Sequence, residues 1–95
     1  MTQMGVGIVG TGWVSGEHIR AFEVNANTKV VALCGRTKDA AKAKAAECGI
    51  VCEAFDNFEK VLAHPEVKIV SIATPPHLHK DQAVAAAQAG KHIML

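Results

Sequence analysis

Val6-Gly7-Ile8-Val9-Gly10-Thr11-Gly12-Trp13-Val14-Ser15 is the stretch from which the rest of the chain is read. A short apolar run ends at Gly10, Gly12 follows, and the small Ser15 lies at the opening of a helical pattern. A strand that turns tightly into a helix leaves N–H groups at the helix start with no intrahelical partner. The helix dipole adds partial positive charge at the same place. Together these favour a bound phosphate. An overlapping set, Gly5-Val6-Gly7-Ile8-Val9-Gly10, also fits the literal G-x-G-x-x-G string, but most of it lies inside the apolar run and reads as strand. A cradle must follow its strand, so Gly10, Gly12 and Ser15 form the working set. Gly10 makes the tight turn and Gly12 admits a pyrophosphate to the backbone. Ser15 stands for the usual third glycine, where helix packs on strand. Taken alone, the string is weak evidence, since an ordinary glycine-rich strand-to-helix turn also produces it.

Composition narrows the choices around that turn. Ninety-five residues make one domain at most, and 49% hydrophobic content suits a globular core. A net charge of +1 gives no pull towards nucleic acid or an anionic membrane. Aromatics at 4%, with no tyrosine, argue further against a base-stacking surface. No apolar run approaches the roughly 20 residues of a membrane span. Met1-Thr2-Gln3-Met4 lacks the basic start of a secretory signal, so a cytoplasmic location is expected. The three cysteines, Cys34, Cys48 and Cys52, form no C-x-x-C pair and read as reduced, mostly buried thiols.

Beyond the turn, β-branched runs alternate with helical patterns. Strands are expected at 6–9, 29–34, 50–53, 67–73 and 91–95. The first helix runs from Val14 or Ser15 to Val24, with Ile19 and Phe22 inward. Thr37 caps a second helix that ends at Cys48, with Gly49 just past it. Asp56 or Asn57 caps a short third helix, which His64-Pro65 stops. A fourth runs from Leu78 to Ala89. Continuous apolar strands, each followed by a helix, describe an α/β fold with a doubly wound parallel sheet in strand order 3-2-1-4-5.

In that order the first and fourth strands are neighbours whose helices go to opposite faces, and ligands bind beyond their C-terminal ends. Gly10-Thr11-Gly12-Trp13 stands on one side of this crevice and Thr74-Pro75-Pro76-His77 on the other, although the latter is also a plain strand-ending turn. After the second strand, Gly35 occupies the position where a carboxylate would hold ribose hydroxyls and repel a 2′-phosphate. Arg36 and Thr37 follow, a cation and a hydroxyl suited to that phosphate. NADP is therefore expected in preference to NAD, unless Arg36 is simply a solvated loop residue. His18 reads as a packed or hydrogen-bonded helix residue. His77 or His79 lines the crevice, and His64 and His92 read as loop and strand-edge residues. No metal is expected, because neither Cys48 with Cys52 nor His77 with His79 completes a recognisable ligand set.

Two segments at this separation resemble the glucose–fructose oxidoreductase and inositol dehydrogenase (Gfo/Idh/MocA) family. One is Gly7-Ile8-Val9-Gly10-Thr11-Gly12-Trp13-Val14-Ser15 with His18; the other is Ser71-Ile72-Ala73-Thr74-Pro75-Pro76-His77-Leu78-His79, followed by Ala89-Gly90-Lys91-His92-Ile93. The resemblance covers essentially the whole chain. It implies a Rossmann-like NAD(P)-binding domain, spanning 1–95, of an oxidoreductase acting on sugars, polyols or related hydroxyl and carbonyl compounds. By position, Gly10, Thr11, Gly12, Trp13 and Val14 would meet the pyrophosphate, and Arg36 and Thr37 the adenosine end. Ala73, Thr74, Pro75 and His79 would line the side towards the nicotinamide. The resemblance further implies a Glu-Lys-Pro continuation with a catalytic lysine, a second substrate-binding domain, and a homo-oligomer at full length. Leu95 precedes all of these, so the chain reads as a fragment that binds NADP(H) weakly, performs no turnover alone, and carries no catalytic residue. Lys91 is not that lysine. The alternatives are a non-catalytic NAD(P)-sensing module and a methyltransferase, the latter disfavoured because such enzymes place an acid where Gly35-Arg36 stands.

Overall fold

The structure, a computed structural model, describes residues 3–94. Strands and helices alternate: β1 (Met4–Val9), α1 (Trp13–Val24), β2 (Thr28–Cys34), α2 (Lys38–Cys48), β3 (Glu53–Phe55), α3 (Phe58–Ala63), β4 (Val67–Ile72), α4 (Pro76–Gln88) and β5 (His92–Met94). All pairings are parallel and the order is β3-β2-β1-β4-β5, as the strand–helix alternation implies. Leu95, expected in the last strand, lies outside the described residues.

The sheet is covered on both faces, which is why β1 is buried and apolar from Val6 to Val9 and the C-terminal halves of β2 and β4 are buried with it. Helices α1 and α2 bury Ile19, Phe22, Ala41 and Ala45 against Val6, Ile8, Val30 and Leu33. The opposite face packs Val61 and Ala86, from α3 and α4, on Val9, Ala32, Val67, Val70 and Ile72. Ile8 and Leu33 are fully buried, and burying such a side chain contributes about 1.5–3 kcal/mol. Gly7 sits under α3: a Cβ there would lie 2.6 Å from Val61 Cγ1. Gly5 and Gly7 are thus packing residues of the strand and not part of a cradle.

Local signals set the helix ends. Thr37 caps α2 by accepting the Ala40 N–H at 3.0 Å, and Gly49 closes it. Asn57, not Asp56, caps α3, its Oδ1 accepting the Glu59 N–H at 2.7 Å. Helix α4 starts at Pro76 and not at Leu78, because proline at the first helical position has no N–H to leave unpaired.

The third strand differs most from the sequence reading. It lies at Glu53–Phe55 and not at 50–53, paired as Ala32 with Glu53 through Cys34 with Phe55. After Gly49 the Ile50 N–H returns to the Ala45 carbonyl, so the chain is still leaving α2. Ile50 and Cys52 are apolar because they pack against the α1/α2 core, while Val51 between them is 94% exposed. Their alternation mimics a strand where no partner strand is in reach. His64, expected as a loop residue, does follow α3 but is buried. Its Nδ1 accepts the Glu66 N–H and its Nε2 lies 3.1 Å from Glu53 Oε1.

Candidate functional site

At the C-terminal ends of β1, β2 and β4 a crevice of about 710 Å³ opens. Its floor is the place where β1 stops. The Gly10 N–H donates to the Cys34 carbonyl and the Ala73 N–H to the Val9 carbonyl, both at 2.8 Å, which completes the two ladders flanking β1. Gly10 then leaves the sheet with φ +115°, and a Cβ there would sit 2.7 Å from the Ala73 carbonyl oxygen. Only glycine turns the chain there without strain.

Gly12 is the opposite case. It caps α1 with φ −78° and ψ −173°, an extended conformation open to any residue. A Cβ built on it meets nothing within 4 Å. The protein's own packing therefore gives no reason for glycine at this position. The space beside it is crevice, and the first-turn amides of Trp13 and Val14 have no intrahelical acceptor. Gly12 offers no side chain to cap them. A glycine at such a place leaves the backbone open to close approach from the crevice. Ser15 is fully buried and donates its hydroxyl to the Gly12 carbonyl at 2.7 Å, which fixes the turn. The Trp13 and Val14 side chains do not line the crevice and are 76% and 48% exposed, so what these residues present at the helix start is their N–H groups.

Thr11, Gly35 and Arg36 form the wall towards β2. A Cβ at Gly35 would lie 2.8 Å from Thr11 Cγ2. The absence of a carboxylate here is thus built into the packing of the turn. Arg36 is exposed at the rim. Thr37, expected beside it, lies outside the lining; its Oγ1 is engaged as acceptor in the α2 cap, with the hydroxyl proton left to donate.

On the far side Ala73, Thr74 and Pro75 line the crevice as expected, joined by His77, Leu78 and Gln82 from α4. The Thr74 hydroxyl donates to Gln82 Oε1 and His79 Nε2 donates to the Thr74 carbonyl, each at 2.5 Å. His79 therefore braces the loop from behind, and His77 is the histidine on the crevice. His18 Nδ1 lies 2.6 Å from Ser71 Oγ and ties α1 to β4 beneath the site. Burial pushes the Cys34 thiol up, helped by the Asp56 charge, and burial chiefly pushes Cys52 up to about 11, so neither is a thiolate at neutral pH. Among the described residues, no group of three or more His, Cys, Asp or Glu is placed to hold a metal ion, and no helix is long and apolar enough to cross a membrane.

Sequence reasoning did not find Cys34, Ala40, Asp56 or Phe58 on the crevice, although all four line it. Asp56 was legible in principle. It is the first residue after β3, and placing that strand at 50–53 hid it from the rule that ligands gather beyond strand C-termini.

A parallel sheet reversing its winding beside β1, with an uncapped helix start over an unneeded glycine, defines a dinucleotide-binding domain of the Rossmann type. A family model described as "Oxidoreductase family, NAD-binding Rossmann fold" matches residues 4–95. The chain belongs to the Gfo/Idh/MocA oxidoreductase family, as its NAD(P)-binding Rossmann domain. It is 40% identical to an uncharacterized oxidoreductase of Synechocystis over 95% of its own length and 24% of the relative's. With inositol 2-dehydrogenase 1 of Saccharopolyspora erythraea it shares 31% identity over 94% of its length and 27% of that protein's. KijD10, a 3-ketoreductase from Actinomadura kijaniata in complex with TDP-benzene and NADP, superposes with TM-score 0.88 at 27% identity, covering 97% of this chain and 29% of that one. The chain thus spans about a quarter of the length of such relatives.

Proposed function

We propose that the crevice binds NADP(H) in preference to NAD(H), and that the chain is the cofactor domain, residues 1–95, of a longer oxidoreductase acting on sugars, polyols or related hydroxyl and carbonyl compounds. The observation that carries this reading is Gly12: a glycine the fold does not require, at an uncapped helix start facing open crevice. Backbone amides from Thr11, Gly12, Trp13 and Val14 hold the diphosphate, and Gly10, whose own N–H goes to the Cys34 carbonyl, makes the turn that brings it close. Arg36 supplies the cation for a 2′-phosphate, and the Thr37 hydroxyl donates to it. The nicotinamide half lies along Ala73, Thr74 and Pro75, with His79 fixing the Thr74 carbonyl. When bound, the nicotinamide supplies or accepts the hydride. Hydride transfer also needs a held substrate and a group that moves the hydroxyl proton, and these are assigned to parts of the longer protein outside this segment. The relatives described as inositol dehydrogenase and 3-ketoreductase support the substrate class.

Cofactor preference has a direct test in titrations of NADPH and NADH against the wild-type chain and Arg36→Ala. A charge-assisted pair contributes about 1.5–3 kcal/mol. The substitution is expected to weaken NADPH by about 10- to 100-fold and leave NADH nearly unchanged. Equal weakening of both, or of neither, removes the role given to Arg36.

A further inference from the structure

We propose that Asp56 reads the base of the bound nucleotide by accepting a hydrogen bond from the exocyclic 6-amino group of adenine. The proposal rests on the dinucleotide reading of the crevice and goes beyond it, from the phosphates to the base.

Position is the first argument. Away from the diphosphate turn the sheet runs β1-β2-β3, so an adenosine whose phosphates lie at the end of β1 extends across the end of β2 towards that of β3. Arg36 follows β2, Asp56 immediately follows β3, and both line the same crevice. Phe58 and Ala40 complete this end and give it apolar surface of the kind a base requires. The Asp56 charge is also felt at the crevice floor, where it adds to the upward push on the Cys34 thiol.

The second argument is that Asp56 has little else to do. A residue of its type just before a short helix is normally a cap. Here the cap is Asn57, whose Oδ1 accepts the Glu59 N–H. Among the described residues, the polar contact that Asp56 does make is with Lys60 Nζ at 3.9 Å, between side chains 54% and 62% exposed. An ion pair of that length and exposure contributes little.

Chemistry supplies the third. Among the described residues that line the crevice, Asp56 is the one carboxylate. An ionised carboxylate only accepts hydrogen bonds, and the 6-amino group of adenine is a donor. Hypoxanthine presents an oxygen at that position, which a carboxylate repels. Asp56 therefore discriminates between 6-amino and 6-oxo purines.

The test compares NADP⁺ with nicotinamide hypoxanthine dinucleotide phosphate, titrated calorimetrically against wild type, Asp56→Ala and Asp56→Asn, with thermal midpoints measured alongside. Both probes carry the same phosphates, so their affinity ratio cancels any general effect of removing a negative charge. The wild type is expected to favour NADP⁺ by about tenfold, as befits a hydrogen bond to a charged group. Asp56→Ala should bring the ratio close to one. Asp56→Asn, whose amide can donate to a 6-oxygen, should move it to one or below. All three midpoints should agree. Equal affinities in the wild type, or a preference that survives Asp56→Ala, overturn the base-reading role and leave the dinucleotide site standing. Failure of the wild type to bind either probe overturns both.

Discussion

Gly12→Val is expected to reduce dinucleotide affinity by about 100-fold, the equivalent of roughly 3 kcal/mol, while lowering folding stability by less than about 1 kcal/mol. The small stability effect follows from the geometry. Gly12 is extended, its Cβ would meet no protein atom within 4 Å, and no side chain there caps α1. What remains is the modest difference between glycine and an aliphatic residue at a helix N-cap. The large binding effect follows from the same geometry. A branched side chain fills the space through which a diphosphate reaches the Trp13 and Val14 amides, and each charge-assisted hydrogen bond lost costs about 1.5–3 kcal/mol. Calorimetric titration with NADPH and thermal melts of the same two samples check it. Unchanged affinity would remove the ligand-based explanation of this glycine.

Gly10→Ala should act in the other direction, by destabilising the fold itself by about 3 kcal/mol. A residue with φ +115° lies in a region that side-chain-bearing residues occupy only at a cost of order 1–3 kcal/mol. The added methyl would also stand 2.7 Å from the Ala73 carbonyl oxygen and 3.0 Å from its carbon, both backbone atoms that belong to the β1–β4 junction. For a domain of this size, total stability is of order 5–15 kcal/mol, so the variant should lose much of its margin and melt markedly earlier. A midpoint equal to that of the wild type would contradict the strained turn. The two substitutions separate what their common motif joins, since the fold requires glycine at position 10 and does not at position 12.

Most of the architecture was legible because local signals and tertiary demands agree. The run Val6–Val9 is buried on both faces, so it is apolar without alternation, and β4 is buried in the same way from Val70 to Ile72. Thr37 and Asn57 are caps by residue type and act as caps in the structure. The order 3-2-1-4-5 follows from alternation and the handedness of crossovers. The third strand was misplaced because Ile50 and Cys52 face a helix-covered core without sheet partners, and sequence periodicity cannot distinguish these two ways of burying alternate residues. Gly10 and Gly12 stand out in the sequence by their spacing, and the structure sets both at the turn after β1. How far a side chain reaches is less legible: His79 turns back to the Thr74 carbonyl while His77 lines the crevice, and Thr37, expected as the α2 cap, acts as that cap and lies outside the lining. Asp56 is visible only once β3 is in register with β2. The Gly35 position shows a further limit: its lack of a carboxylate reads as cofactor preference in sequence, and in structure it is also the seat of the Thr11 methyl group.

The central claim is that a dinucleotide's phosphates rest on the amides at the start of α1. Backbone amide chemical-shift mapping of the isotope-labelled chain titrated with NADP⁺ tests it most directly. Saturable shifts are expected, largest for Gly10, Thr11, Gly12, Trp13 and Val14, with a second set at Ala73 and Thr74. Saturable shifts centred elsewhere, with residues 10–14 unmoved, would contradict it.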